Sequence, residues 1–109
     1  MATVNKVRTQ AKIEIDGSTS ESEVYEFFDD VSNIIITLSF PDGTGSATIQ
    51  TSTSISEDLA NDNAVWVDWD SGTITDTTTR AEISAPNALK VVNDGSDRVL
   101  VEIRGNYSK

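Results

Sequence analysis

Between Asn33 and Phe40 the chain reads NIIITLSF, with Ile34, Ile36, Leu38 and Phe40 alternating with residues of the other parity. Successive side chains leave a strand on opposite sides, so apolar residues at every second position mark a strand with one buried face. The same period recurs along the chain. Lys6 to Asp16 sets Val7, Thr9, Ala11, Ile13 and Ile15 against Lys6, Arg8, Gln10, Lys12 and Glu14, and Arg98 to Arg104 does so with Val99, Val101 and Ile103. Ser46 to Ser54 and Ala64 to Asp70 alternate as well. In the latter, Val65, Val67 and Trp69 share one face, which assigns Trp69 to the core and leaves Trp66 more exposed. With the shorter segments Gly72 to Thr79, Ala81 to Ala85 and Ala88 to Val92, these make about seven to nine strands at intervals of roughly 8 to 12 residues. The expected fold is all-β: a single-domain antiparallel β-sandwich, jelly-roll-like, over residues 1–109, with 1–5 a flexible N-terminal arm.

Gly and Pro punctuate the strands at Asp16-Gly17-Ser18, Pro41-Asp42-Gly43, Pro86 and Asp94-Gly95-Ser96. Local turn chemistry predicts one hairpin joining Asn33–Phe40 to Ser46–Ser54 and another joining Ala88–Val92 to Arg98–Arg104. Ser56 to Asn63 reads as a polar loop. Ser20 to Val31 has two readings. Val24, Phe27, Phe28 and Val31 fall at helical spacing, and Ser20 with Glu23 resembles a capping box. As a strand, Tyr25 and Phe27 share a face opposite Val24 and Phe28, and the β-rich flanks favour this second reading.

Composition removes whole classes of chemistry. The chain contains neither His nor Cys, so the usual general base, thiolate nucleophile and thiolate metal ligands are missing. Its formal net charge of -10 argues against nucleic acid as a partner. No apolar run is long enough to span a bilayer, and a chain without a signal-like N-terminal run is expected to be made as a soluble protein.

Three candidate chemistries remain. The acidic segment with Glu57, Asp58, Asn61 and Asp62, joined by Asp68 and Asp70, could supply oxygen ligands to calcium, but it lacks the ordered EF-hand pattern, and Asp and Asn are common in turns. No metal or cofactor is therefore expected. Asp68 and Asp70 could pair as glycosidase carboxylates, against the plainer reading of a solvated face. Trp66, Trp69, Tyr25 or Tyr107 could stack on a sugar, although packed Trp is the commoner case. The sequon Asn106-Tyr107-Ser108 is read as chance. The layout of charge is the most distinctive feature: no Lys or Arg occurs from Ile13 to Thr79. If the terminal strands pair, Lys6, Arg8 and Lys12 would join Arg98 and Arg104 on one basic flank of an acidic body.

The segment AVWVDWDSGTITDTTTRAEISAPNALKVVNDGSDRVLVEIRG, Ala64 to Gly105, resembles small accessory virion proteins of tailed bacteriophages. The matching positions are Trp66, Trp69, Gly72, Pro86, Ala88, Leu89, Lys90, Val91 and Val92. The resemblance implies a non-enzymatic capsid decoration or cement protein, made in the host bacterial cytoplasm and placed on the capsid exterior. Its implied partner is the major capsid protein, and it implies a homo-oligomer, with a trimer favoured. The residues expected to attach it are Lys6, Arg8, Lys12, Trp66 and Tyr107. The alternatives are a carbohydrate-binding or adhesive sandwich, possible with calcium, and a minor tail or neck protein.

Overall fold

In a computed structural model of the chain, residues 3–16, 20–75 and 78–107 are described, apart from the side chains of Asp70, Ser71, Thr78 and Thr79. The elements are β1 (Val4–Val7), β2 (Gln10–Ile15), β3 (Val24–Phe27), β4 (Val31–Ser39), β5 (Ala47–Ser52), α1 (Ser56–Ala60), β6 (Val67–Ile74), β7 (Thr78–Ser84), β8 (Ala88–Asn93) and β9 (Val99–Tyr107). They form a five-stranded sheet of order β1-β3-β8-β5-β6 and a four-stranded sheet of order β2-β9-β4-β7.

The pairs β2:β9, β3:β8, β4:β7 and β5:β6 are all antiparallel. Four nested pairs describe one long hairpin, rolled so that successive pairs fall alternately in the two sheets. That is the wrapping of a jelly roll, and it bears out the expected fold class. The strand β1 lies outside this scheme and pairs parallel with β3, so the sandwich is not wholly antiparallel.

The core lies between the sheets. Ile34, Ile36 and Leu38 of β4 face Phe27, Leu89, Val91 and Ile49 of the other sheet, with Ile13, Ile15, Val99, Val101 and Ile103 filling the remainder. Ile34, Ile49, Leu89, Val91, Val99 and Val101 are wholly buried, as the alternation requires. Complete burial of such a side chain is worth about 1.5–3 kcal/mol, so these rows decide which face turns inward. Ser20 to Val31 resolves in favour of the strand. Tyr25 and Phe27 pack on the main core while Val24 points the other way.

Several sequence expectations are corrected. Lys6 to Asp16 is not one strand but two, because the chain breaks at Arg8 and Thr9 and crosses from the five-stranded sheet to the four-stranded one. Val4 and Asn5, expected in a free arm, belong to β1, and the Thr3 carbonyl accepts the Val24 N–H. Gly72 to Ile74 continues β6, and Ser56 to Ala60 is a short helix. Neither predicted hairpin forms. The β4–β5 and β8–β9 connections are arches, each carrying the chain between sheets.

These arches brace one another. The Asp94 N–H donates to the Ser46 carbonyl. Asn93, buried, accepts from the Gly95 N–H and donates to the carbonyls of Asp97 and Asp16. Asp42 receives the Arg98 guanidinium and backbone N–H, and those bonds hold its carboxyl below the usual aspartate range. A turn signal such as Asp-Gly is satisfied equally by an arch and by a hairpin, so local chemistry could not separate them.

A second, smaller cluster sits on the outside of the five-stranded sheet. Leu59 of α1 seats on Val24 and Ala88, with Val4, Ala64 and Trp66 around it. One outer face is thus partly roofed by the chain itself.

Candidate functional site

The other outer face, on the four-stranded sheet, has no such roof among the described residues. Register places its side chains in rows: Gln10 beside Arg104, Arg104 beside Ile35, and Ile35 beside Glu82. In the next row Lys12 lies beside Glu102, followed by Thr37 and Arg80. Opposite charges on neighbouring strands stabilise such a surface by about 0.2–1 kcal/mol per pair. Even so, Lys12, Arg80 and Arg104 make no hydrogen bond or ion pair among the described residues. A shallow depression between them is lined by Gln10, Ile35, Thr37, Arg80, Glu102 and Arg104.

This face continues around the corner where β1 passes into β2. A second depression, lined by Thr9, Gln10, Arg104, Asn106 and Tyr107, shares Gln10 and Arg104 with the first. Beyond it, the Arg8 guanidinium lies 5.8 Å from the Tyr107 ring and 4.3 Å from that of Phe28. Its Nε is 3.3 Å from Asp30. Stacking a guanidinium on a ring keeps its charge available while covering apolar surface. Gly105 builds this corner. Its N–H donates to the Thr9 carbonyl, and any Cβ there would collide with the Arg8 carbonyl.

Of the residues nominated from sequence, Arg8 and Tyr107 meet at this corner and Lys12 lies further along the same strip. Lys6 shares the Phe28 ring at 4.9 Å but belongs to the other sheet. There it pairs at 3.4 Å with Glu26, a buried carboxylate that also accepts from the Ser56 hydroxyl. Trp66 is elsewhere, on the α1 side of the five-stranded sheet, with the Lys90 ammonium 4.9 Å from its ring. Lys90 in turn is 3.5 Å from Glu21. A groove beside it is lined by Glu21, Glu23, Leu59, Asp62, Trp66 and Lys90.

Pairing of β2 with β9 gathers Lys12 and Arg104 as the charge layout foresaw, but Arg98 stays at the far arch with Asp42. Sequence reasoning missed Phe28, Gln10, Ile35 and Arg80 as members of the strip. Arg80 and Ile35 join it only through the β4:β7 and β4:β9 registers, which no local pattern encodes.

The acidic residues considered for calcium are dispersed. Glu57 and Asp58 lie in the first turn of α1, Asn61 caps it, Asp62 takes a positive φ, and Asp68 accepts from Gln50. Among the described residues no group of three or more acidic side chains gathers as a metal site. Asp70's side chain lies outside the described ones. No helix of the described residues is long and apolar enough to cross a membrane.

No protein-family model matches this chain, nor does any curated protein. Solved structures do resemble it. The pre-peptidase C-terminal domain of collagenase from Bacillus anthracis superposes with a TM-score of 0.56 at 18% identity, covering 97% of each chain. The Drosophila NLP core gives a TM-score of 0.50 at 5% identity, covering 93% of this chain and 100% of that one. CENP-C of Drosophila melanogaster, bound to CAL1, also gives 0.50, at 8% identity, covering 90% of this chain and 64% of that one. Likeness at these identities is likeness of fold, and these neighbours are β-domains like this one.

Proposed function

We propose that the chain is a non-enzymatic structural module of a phage virion that docks on the assembled capsid through the strip from Arg8 and Tyr107 to Lys12, Arg80 and Arg104. The observation that carries this reading is the strip itself. Three cations that make no hydrogen bond or ion pair among the described residues share one face that those residues leave unroofed, on a chain whose net charge is -10. The strip sets these cations beside Glu82 and Glu102, and an acidic surface favours the orientations that bring the cations toward it. Arg guanidinia suit surface carboxylates because they bond them bidentately. Ile35 and Tyr107 supply apolar contact within the same surface, Tyr107 being 39% exposed. A jelly-roll sandwich is compatible with a structural or adhesive module. The capsid as partner rests on the resemblance of Ala64 to Gly105 to accessory virion proteins.

The test is co-sedimentation of the purified chain with expanded heads assembled without it. The expected result is saturable binding at low salt that weakens by about tenfold or more between 0.05 M and roughly 0.5 M salt, as screening of exposed charges requires. Heads that pellet free of the chain at low salt would sink the proposal.

A further inference from the structure

The two edges of the five-stranded sheet differ in every respect that governs strand pairing. At one edge, β1 carries Lys6 and no carboxylate; at the other, β6 reads VDWDSGTI, with two carboxylates and no cation. Lys6 and Asp68 leave the same outer face, since Lys6 aligns with Glu26 and Ala88 while Asp68 aligns with Gln50 and Lys90. The register of β6 shifts between its contacts with Thr48 and Gln50, and Gly72 takes a φ of 102° there. The limb before that irregularity therefore forms the usable edge. On it Val65 and Val67 are 70% and 62% exposed, and Ile55 beside them is 60% exposed. The Val65 N–H donates to the Ser54 hydroxyl, which holds this limb against the end of β5.

Direction matters as much as charge. The strand β1 runs with β3, which opposes β8, which opposes β5, which opposes β6. The two edges therefore run in opposite senses, so a copy added in the plane of the sheet would set its β1 antiparallel to the β6 of its neighbour. The Thr3 carbonyl accepts the Val24 N–H and the Val7 carbonyl the Phe28 N–H just past β3, which leaves Val4 and Lys6 with N–H and C=O turned outward. Like edges would set Lys6 against Lys6 or Asp68 against Asp68, whereas unlike edges are complementary.

We infer that the chain associates with further copies of itself head to tail, the Val65–Asp68 limb of one copy adding as an antiparallel strand to β1 of the next. This covers Val65 and Val67, satisfies the outward backbone groups of β1, and places Asp68 near Lys6. Such contacts are heterologous; they close into a ring or continue as a filament according to the rotation between copies. The surface is separate from the strip on the four-stranded sheet, so the two can be tested independently.

Asp68→Lys separates the alternatives because it spoils one edge and leaves the other intact. Asp68 is exposed and its one described partner is Gln50. In sedimentation velocity the wild-type chain is expected to gain mass with concentration at low salt and to lose it at high salt. Asp68→Lys alone should remain monomeric at concentrations where the wild type associates. Added substoichiometrically to wild type, it should shorten the assemblies, since it still offers β1 to a growing end but presents no acceptor of its own. Val67→Lys, at another exposed position of the same limb, should do likewise and guards against a folding defect in the first variant. A wild-type chain that stays monomeric at all concentrations overturns the inference and leaves this edge to a strand from another protein. Assemblies unaffected by either variant overturn it too.

Discussion

Replacing Gly105 by alanine is expected to lower the thermal midpoint by more than about 10 °C, a loss of about 3 kcal/mol for a domain of this size. Gly105 lies buried in β9 opposite Ile34, and its backbone faces the carbonyl of Arg8 where the chain leaves one sheet for the other. A Cβ at this position meets backbone on one side and the Val31 side chain on the other. Backbone cannot rotate away as a side-chain tip can, so β2 must lift from β9 or the crossing must open. Either movement breaks the Gly105 N–H bond to Thr9 and shifts Arg8 off the Phe28 and Tyr107 rings. Gly43→Ala is the control. That turn glycine has a φ of 88° but open space around it, so alanine there costs about 1 kcal/mol of backbone strain. Calorimetric melting of both variants should rank Gly105→Ala well below Gly43→Ala. Equal midpoints would show that the crossing does not seat on β9.

Leu59→Ala should cost about 3 kcal/mol and release α1 from the sheet. The helix has five residues, no side-chain cap at Ile55, and Leu59 as its one buried side chain. So short a helix does not persist in water on its own, and docking of Leu59 against Val24 and Ala88 is what holds it. Once it is undocked, Ser56 no longer reaches Glu26, and Trp66 loses the neighbours that half-bury it. In a Trp69→Phe background the Trp66 emission should therefore shift to the red in Leu59→Ala and stay unmoved in Leu59→Met, which conserves volume. Unchanged emission in Leu59→Ala would place the support of α1 elsewhere.

What the sequence made legible follows from the range of each physical signal. Inward faces of β4 and β9 are local facts, and Ile34, Ile36, Leu38, Phe40, Val99, Val101 and Ile103 are buried as their parity required. Tyr25 and Phe27 share a face for the same reason. Which sheet a strand joins is not local. Asn93 and Asp94 could close a hairpin, yet they form an arch, because β8 finds β3 and β5 while β9 finds β2 and β4. The break at Arg8 was hidden by an alternation that runs unbroken through it. Glu26 is a carboxylate yet only 6% exposed, because Lys6 and Ser56 arrive over it from distant segments, which no local pattern encodes. The charge layout was visible at once, whereas its division between a docking strip and a sheet edge needed the registers.

Reversing charge on the strip tests the central claim most directly. Arg80 and Arg104 are exposed and make no bond among the described residues, so Arg80→Glu with Arg104→Glu should leave the melting temperature nearly unchanged. Affinity for expanded heads, measured by co-sedimentation at low salt, should fall by about tenfold or more, equivalent to about 1.4 kcal/mol. Asp68→Lys, on the opposite sheet, should bind heads as the wild type does when compared at concentrations where both are monomeric. Undiminished binding by the doubly reversed chain would contradict the assignment of the four-stranded face as the attachment surface.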